Sequence, residues 1–438
     1  MNAQPTTLTA SSGKADLAPP AGCWLAGYAA RVEPSVALHD PIGARAVLLD
    51  DGISRLAMVS CDLIGFSPRT DAELRRRIAA AASIPAEGVL ICCTHTHSSP
   101  ASMALSGVMG KVDLAWSEAA GERIVKLVAG LADKLVPARL AHAGATVGGI
   151  GYNRQDRNRP FNEELGVVAV QAPDGAPIAT LINYHTHAVV LGADNLLISA
   201  DFPGAATVCL EKLRGGVAMY IQGSCGDVDP IAATQRRSYA DIFGEVERIG
   251  RRLAEAAAEA LRGAAFSDSP RICVAAKEIA VPLAALPSAG EIAAAEEKHL
   301  AMIHDARAKA NKAMESWAAI TLDRLAEQKK AMAMGNAPTS IPARLTVAAV
   351  GDLRVVAMPF ETYGDVAAAI GQSLRPSRTI FAGYANGLYG YVYPAWAWRQ
   401  GGYGPAESHR CFPDLLTPIA QGADELLIQA VGTLAKEL

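Results

Sequence analysis

Between Ala44 and His97 the chain reads ARAVLLDDG (44–52), SRLAMVSCDLIG (54–65), TDAELRRRIAAAA (70–82) and GVLICCTHTH (88–97). Three of these are short apolar runs of the kind that form strands, and the third in order carries apolar residues at helical spacing among its charges. Strand and helix signatures that alternate in this way indicate an α/β fold: a layered mixed sheet with flanking helices. Outward from this stretch the pattern continues. A second helix is predicted over 116–135 and strands around RLAHAGATVGG (139–149), LGVVAVQAP (165–173) and IATLINYHTH (178–187). A third helix is predicted over 242–263, then strands within 346–361 and 379–394, and a last helix over 424–438.

Residues from about 288 to 334 are rich in Ala, Glu and Lys with few helix breakers, and read as an inserted helical hairpin or one long helix. A peripheral insertion and a lid or dimer arm both remain open for it. No fixed-period repeat and no linker divides the chain, so the expected organisation is a leader over 1–20 and one domain over 21–438. The start, MNAQPTTLTASSGKADLAPPAG, lacks a basic head followed by an apolar core, so it reads as a disordered leader and not as a secretory signal.

The 438 residues are 50% apolar, enough for a large core. A formal net charge of -4 offers no basic surplus for nucleic acid or an anionic membrane surface, so neither is an expected partner. Apolar runs stop well short of the roughly 18–20 residues that span a bilayer. The eight cysteines lie mostly in or beside apolar runs without a CxxC pair, which fits buried thiols in a reducing cytoplasm. Cys92 and Cys93 immediately precede a histidine motif, but neighbours on a strand point to opposite faces.

The unusual polar clusters each follow an apolar strand run, where α/β folds place their ligand crevices. They are CTHTHSSP (93–100), NYHTHAVV (183–190), QGSCGDVDP (222–230), MPFETYG (358–364) and ANGLYGYV (385–392). Residues i and i+2 of a strand share a face, so His95 with His97, and His185 with His187, could each enter one cleft. Imidazole is a common metal ligand, and zinc gathers three or four N, S or O donors. Four of the nine histidines sit in these two motifs, and Glu361 adds a carboxylate at another strand end. In the GDVDP loop Asp227 reads as a turn-stabilising residue. Asp229, two residues on, reads as a general base for water bound to the metal.

This strand-end set resembles the catalytic N-terminal domain of the neutral/alkaline ceramidase family, zinc-dependent amidases that cleave N-acyl sphingoid bases. The likeness runs discontinuously from HDPIGARAVLLDDG near His39 to ESHR near Arg410, without a counterpart for 288–334. It implies zinc ligands at His95, His187, Glu361 and Tyr391, with Tyr389 as the alternative register. It also implies catalytic donors at His97, Arg154 of GYNRQDR, and Tyr403, twelve residues beyond Tyr391. Where the family carries a catalytic serine, in Gly-Asp-Val-Ser-Pro, this chain has Asp229. The chain ends at Leu438, so the family's C-terminal sandwich domain is not expected, and a small soluble amide is the expected substrate in place of a membrane lipid.

The function expected is therefore zinc-dependent amide hydrolysis with Asp229 as base. Ester, lactone or cyclic-amide hydrolysis or a lyase step is the alternative chemistry, and a metal-stabilised binding protein the non-catalytic one. His185 has two readings, as a partner orienting His187 or Glu361 and as part of a second metal site with Asp62 and Asp201. Arg154 could instead pair with Asp156 or a substrate carboxylate, and a homo-oligomer is left open.

Overall fold

The computed structural model describes residues 7–235 and 238–438. Its core is built from three sheets. The first runs in the order Val89–Cys93, Arg55–Cys61, Gly43–Asp50, Thr9–Asp16, Val136–Pro137. The second is ordered Val217–Gln222, Pro177–Tyr184, Glu164–Gln171, Arg139–Thr146. The third is ordered Ile272–Pro282, Ser340–Val350, Leu353–Ala357, Arg378–Ala382. This is the mixed α/β architecture expected from the sequence.

Strand periodicity explains the layering. In Gly43–Asp50 the alternate residues Val47 and Leu49 join Leu140, Val168, Leu181, Val355 and Ile380 in a central core shared by all three sheets. Ala44, Ala46 and Leu48 face the other way, into an outer core with Leu74 and Ile78 of the helix Pro68–Ala82 and Ile124 and Val128 of the helix Leu114–Ala129. The second sheet is covered likewise by the helices Asp201–Arg214 and Tyr239–Ala260, which bring Phe202, Leu210, Ile249 and Leu253 against Val167, Ile182 and Tyr220.

The leader expected over 1–20 needs correction. Residues 9–16 form a strand in antiparallel register with Gly43–Asp50, from Thr9↔Asp50 to Asp16↔Gly43, and it also pairs with Val136–Pro137. Its polar, small-residue composition has a physical reason. The Ser11 and Ser12 hydroxyls donate to Leu131 O (2.8 Å) and Ile178 O (2.7 Å), and a Cβ on Gly13 would lie 3.0 Å from Leu127. Residues 1–6 of that expectation lie outside the described residues.

The stretch from 288 to 334 forms two helices, Ala289–Ala308 and Lys312–Met334. The first opens with a reciprocal cap between Ser288 and Glu291. The second is docked by Arg324 and Gln328, which donate to Phe412 O and Leu416 O at 2.9 Å each. No helix among the described residues is long and apolar enough to cross a membrane.

Each sheet contains one parallel pair: Arg55–Cys61 with Val89–Cys93, Pro177–Tyr184 with Val217–Gln222, and Leu353–Ala357 with Arg378–Ala382. Their C-terminal ends are tied together by Gly383 N donating to Gln222 O (3.0 Å) and Cys93 N to Tyr384 O (3.2 Å). The chain's unusual polar clusters emerge at this junction.

Candidate metal centre

The histidines lie just beyond their strands, which end at Cys93 and Tyr184. His95 has φ +60°, a left-handed conformation uncommon for a side-chain-bearing residue. His97 nevertheless returns to the same point, with its Nε2 3.1 Å from His95 Nε2. Gly27 allows this approach: it has φ +96°, and a Cβ there would lie 2.3 Å from His97 Nδ1. His187 arrives from the second sheet and Glu361 from the third, with His187 Nε2 at 3.1 Å and His95 Nε2 at 3.3 Å from Glu361 Oε2.

The protons in this cluster can be placed. His95 Nδ1 lies 2.7 Å from Ile64 O, and His187 Nδ1 lies 3.1 Å from Val228 O. A carbonyl oxygen only accepts, so each ring carries its proton on Nδ1. Burial pushes His187 below the ordinary imidazole value, and His97 well below it, with neighbouring imidazoles adding to the effect on His97. With Nδ1 of His95 and His187 given to carbonyls, the Nε2 atoms are the ones turned toward the buried Glu361 carboxylate. Lone pairs facing an anion repel unless a cation lies between them, so these donors fit a divalent metal. Among the described residues, His95, His97 and His187 form a potential metal-binding group with ligand atoms within 4.8 Å of one another.

Glu361 pairs in parallel register with Tyr391, which places the two residues side by side. Tyr389 points away, its hydroxyl donating to Pro342 O at 2.8 Å, so Tyr391 is the tyrosine brought to the centre. Arg154 bridges the site. It donates to Tyr391 Oη (2.9 Å), Gly226 O (2.9 Å) and Asp229 Oδ1 (3.3 Å). Asp229 is paired across a short antiparallel ladder with Tyr152, and its Oδ1 is 3.7 Å from His187 Nδ1. Asp227, expected to stabilise its own turn, instead ties distant segments together, accepting from Gly364 N (2.9 Å) and Asn153 Nδ2 (2.7 Å). Gly226 is needed for close approach, since a Cβ there would lie 2.5 Å from Glu361 O.

Other expected residues go elsewhere. The Tyr403 ring stands edge-on to Tyr391 at 5.8 Å, but its hydroxyl is turned to Cys411 Sγ at 3.7 Å. His185 contacts Ser224 Oγ (3.0 Å) and Asn162 Nδ2 (3.2 Å). Asp62 is held by Arg45 at 2.7 Å, and Asp201 accepts from Phe202 N at 2.6 Å. These separate partners leave no second metal group of His185, Asp62 and Asp201 among the described residues. Cys92 and Cys93 are buried, and burial pushes the Cys92 thiol up to about 12, so neither offers a thiolate.

Two aromatic residues at the centre were not singled out from sequence. Tyr384 stacks on His95 with ring centroids 4.0 Å apart, and its hydroxyl reaches Glu361 Oε2 at 3.4 Å. Tyr28 stands edge-on to His97 at 5.0 Å. Tyr384 lies within the quoted 379–394 run, where its strand-end position was a usable signal. Tyr28 lies in a loop with no periodicity to mark it.

Residues 9–236 match the family model described as neutral/alkaline non-lysosomal ceramidase, N-terminal, and the chain belongs to that family. The fold is that of the neutral ceramidase from Pseudomonas aeruginosa, whose crystal structure aligns with a TM-score of 0.75 at 17% identity over 98% of this chain and 74% of that one. A structure described as ceramidase complexed with C2 aligns with a TM-score of 0.74 at 16% identity, over 98% of this chain and 75% of the other. No curated protein matches the sequence. Family and fold together support a hydrolase acting on an amide bond, with a histidine cluster that could hold a metal.

Proposed function

We propose that this chain is a zinc-dependent hydrolase that cleaves the amide bond of a small N-acyl compound in the cytoplasm. The observation that carries the reading is the set of Nε2 atoms turned on the Glu361 carboxylate, with Asp229 3.7 Å from the Nδ1 edge of His187. His95, His97, His187 and Glu361 would hold the metal, with Tyr391 next to them. Imidazole and carboxylate donors in this number suit zinc. When bound, zinc supplies Lewis acidity, polarising the carbonyl and easing loss of a proton from water.

Asp229 is the proton acceptor in this reading. Its side chain is 21% exposed, and only Oδ1 is engaged by Arg154, leaving Oδ2 without a hydrogen-bond partner among the described residues. A carboxylate so placed takes the proton of the attacking water and returns it to the departing amine. Arg154 fixes the angle of Asp229 and Tyr391 together, so the acceptor and the centre keep their spacing. The eight cysteines are all unpaired, which suits a reducing compartment.

Asp229→Asn tests the assignment. The amide fills the same volume but does not act as the base. Turnover of water-soluble N-acyl amino acids and a short-chain N-acylsphingosine should fall by about 10²–10⁴-fold, while metal content and melting temperature stay at wild-type values. Full activity in this variant would remove Asp229 from the mechanism.

A further inference from the structure

The groups that sequence reading assigned to the substrate's oxyanion already have partners. Arg154 spends Nε and Nη2 on Gly226 O, Nη2 also on Tyr391, and Nη1 on Asp229. The Tyr403 hydroxyl is directed to Cys411. His97 turns Nε2 into the donor cluster, and its Nδ1 is buried with no hydrogen-bond partner, against Gly27. Four of the five Arg154 N–H groups are thus spent within the protein, which leaves room for a further donor to the developing negative charge on the substrate.

Tyr28 is positioned to be that donor. Its ring packs edge-on against His97, with centroids 5.0 Å apart at 64°, so the phenol borders the same cluster. The Arg31 guanidinium lies 4.9 Å from the Tyr28 ring centroid. Arg31 in turn donates to the carbonyls of Ala26 (3.1 Å), His97 (2.7 Å), Gly192 (3.0 Å) and Ala193 (3.3 Å). Four backbone anchors on one side chain fix the loop carrying Tyr28 to the segments carrying His97 and His187. The Tyr28 hydroxyl has no hydrogen-bond partner among the described residues, and the charges of Asp229 and Arg154 both act on it.

We propose that Tyr28 is a catalytic residue whose hydroxyl donates a hydrogen bond to the substrate carbonyl oxygen as negative charge develops there. This rests on the amide-hydrolase reading above. A donor held in advance by the scaffold needs no reorganisation during the reaction, and loss of one such donor typically costs about 10²–10³ in kcat.

Tyr28→Phe keeps the ring against His97 and removes only the hydroxyl. The variant should bind metal as wild type does, lose about 10²-fold in kcat with KM nearly unchanged, and bind butylphosphonate, a tetrahedral oxyanion mimic, about tenfold more weakly by calorimetry. Wild-type kcat and phosphonate affinity in Tyr28→Phe, alongside an inactive Asp229→Asn, would overturn the role of Tyr28 and leave the hydrolase reading standing. If no N-acyl compound is turned over by the wild type, the hydrolase reading fails, and the phosphonate titration still decides the donor: equal affinity in both proteins, or no binding to the wild type, overturns it.

Discussion

Asp201 is 1% exposed, and burial pushes its carboxyl up to about 7 despite the backbone hydrogen bonds from Phe202 and Leu191. In the unfolded chain the same group ionises near 3.8. The folded state therefore holds the proton more tightly, so this contribution to stability is complete below pH 3.8 and is lost as the pH rises through 7. Melting temperatures of wild type and Asp201→Asn between pH 4 and 8 should show a smaller decline in the variant; parallel curves would contradict the shifted ionisation. The same residue shows how far sequence reading reaches at this scale. A buried aspartate at a helix start and one at a metal site look alike in the chain, because what separates them is the backbone N–H groups that meet the carboxylate. Strand-end position made both His-x-His pairs and Glu361 legible as candidates, whereas the choice of His187 over His185 and of Tyr391 over Tyr389 came from the family resemblance. The closeness of His97 to His95 was legible too, but its place among the metal donors depends on the backbone turn at His95 and the contact with Gly27. Tyr28 was not legible at all, since nothing in GYAAR signals a fold-back onto a distant histidine.

At the scale of elements, strand existence was read well where strands are apolar and poorly where they are not. Residues 9–16 carry Thr, Ser, Gly and Lys because the strand packs under a helix and against neighbours that satisfy its hydroxyls. Composition alone reads such a segment as a disordered leader. Deleting residues 1–16 should break an eight-residue ladder inside the first sheet and uncover the central core at Leu49 and Leu140. The truncated protein is expected to be insoluble or to melt at least 10 °C lower, roughly several kcal/mol for a chain of this size; a melt matching wild type would restore the leader reading. The second His-x-His motif shows a different limit. The rule that i and i+2 share a face holds only inside a strand. The second strand ends at Tyr184, so His185 turns to Ser224 while His187 goes to the centre.

Over the whole molecule, the site exists because three sheets each end a parallel pair at one place. Its donors come from residues 95–97, 187 and 361, so no fragment of the fold contains the centre. The α/β class and the strand-end position of the site follow from alternating strand and helix patterns, but how the sheets meet does not, since their contacts join residues hundreds of positions apart. The central claim is that this junction holds a metal through His95, His97, His187 and Glu361. The most direct test is metal content by plasma mass spectrometry on protein purified without added metal, comparing wild type with His187→Ala. The account predicts about one zinc per chain in the wild type and little in the variant; no metal in the wild type, or an unchanged ratio in His187→Ala, would contradict it.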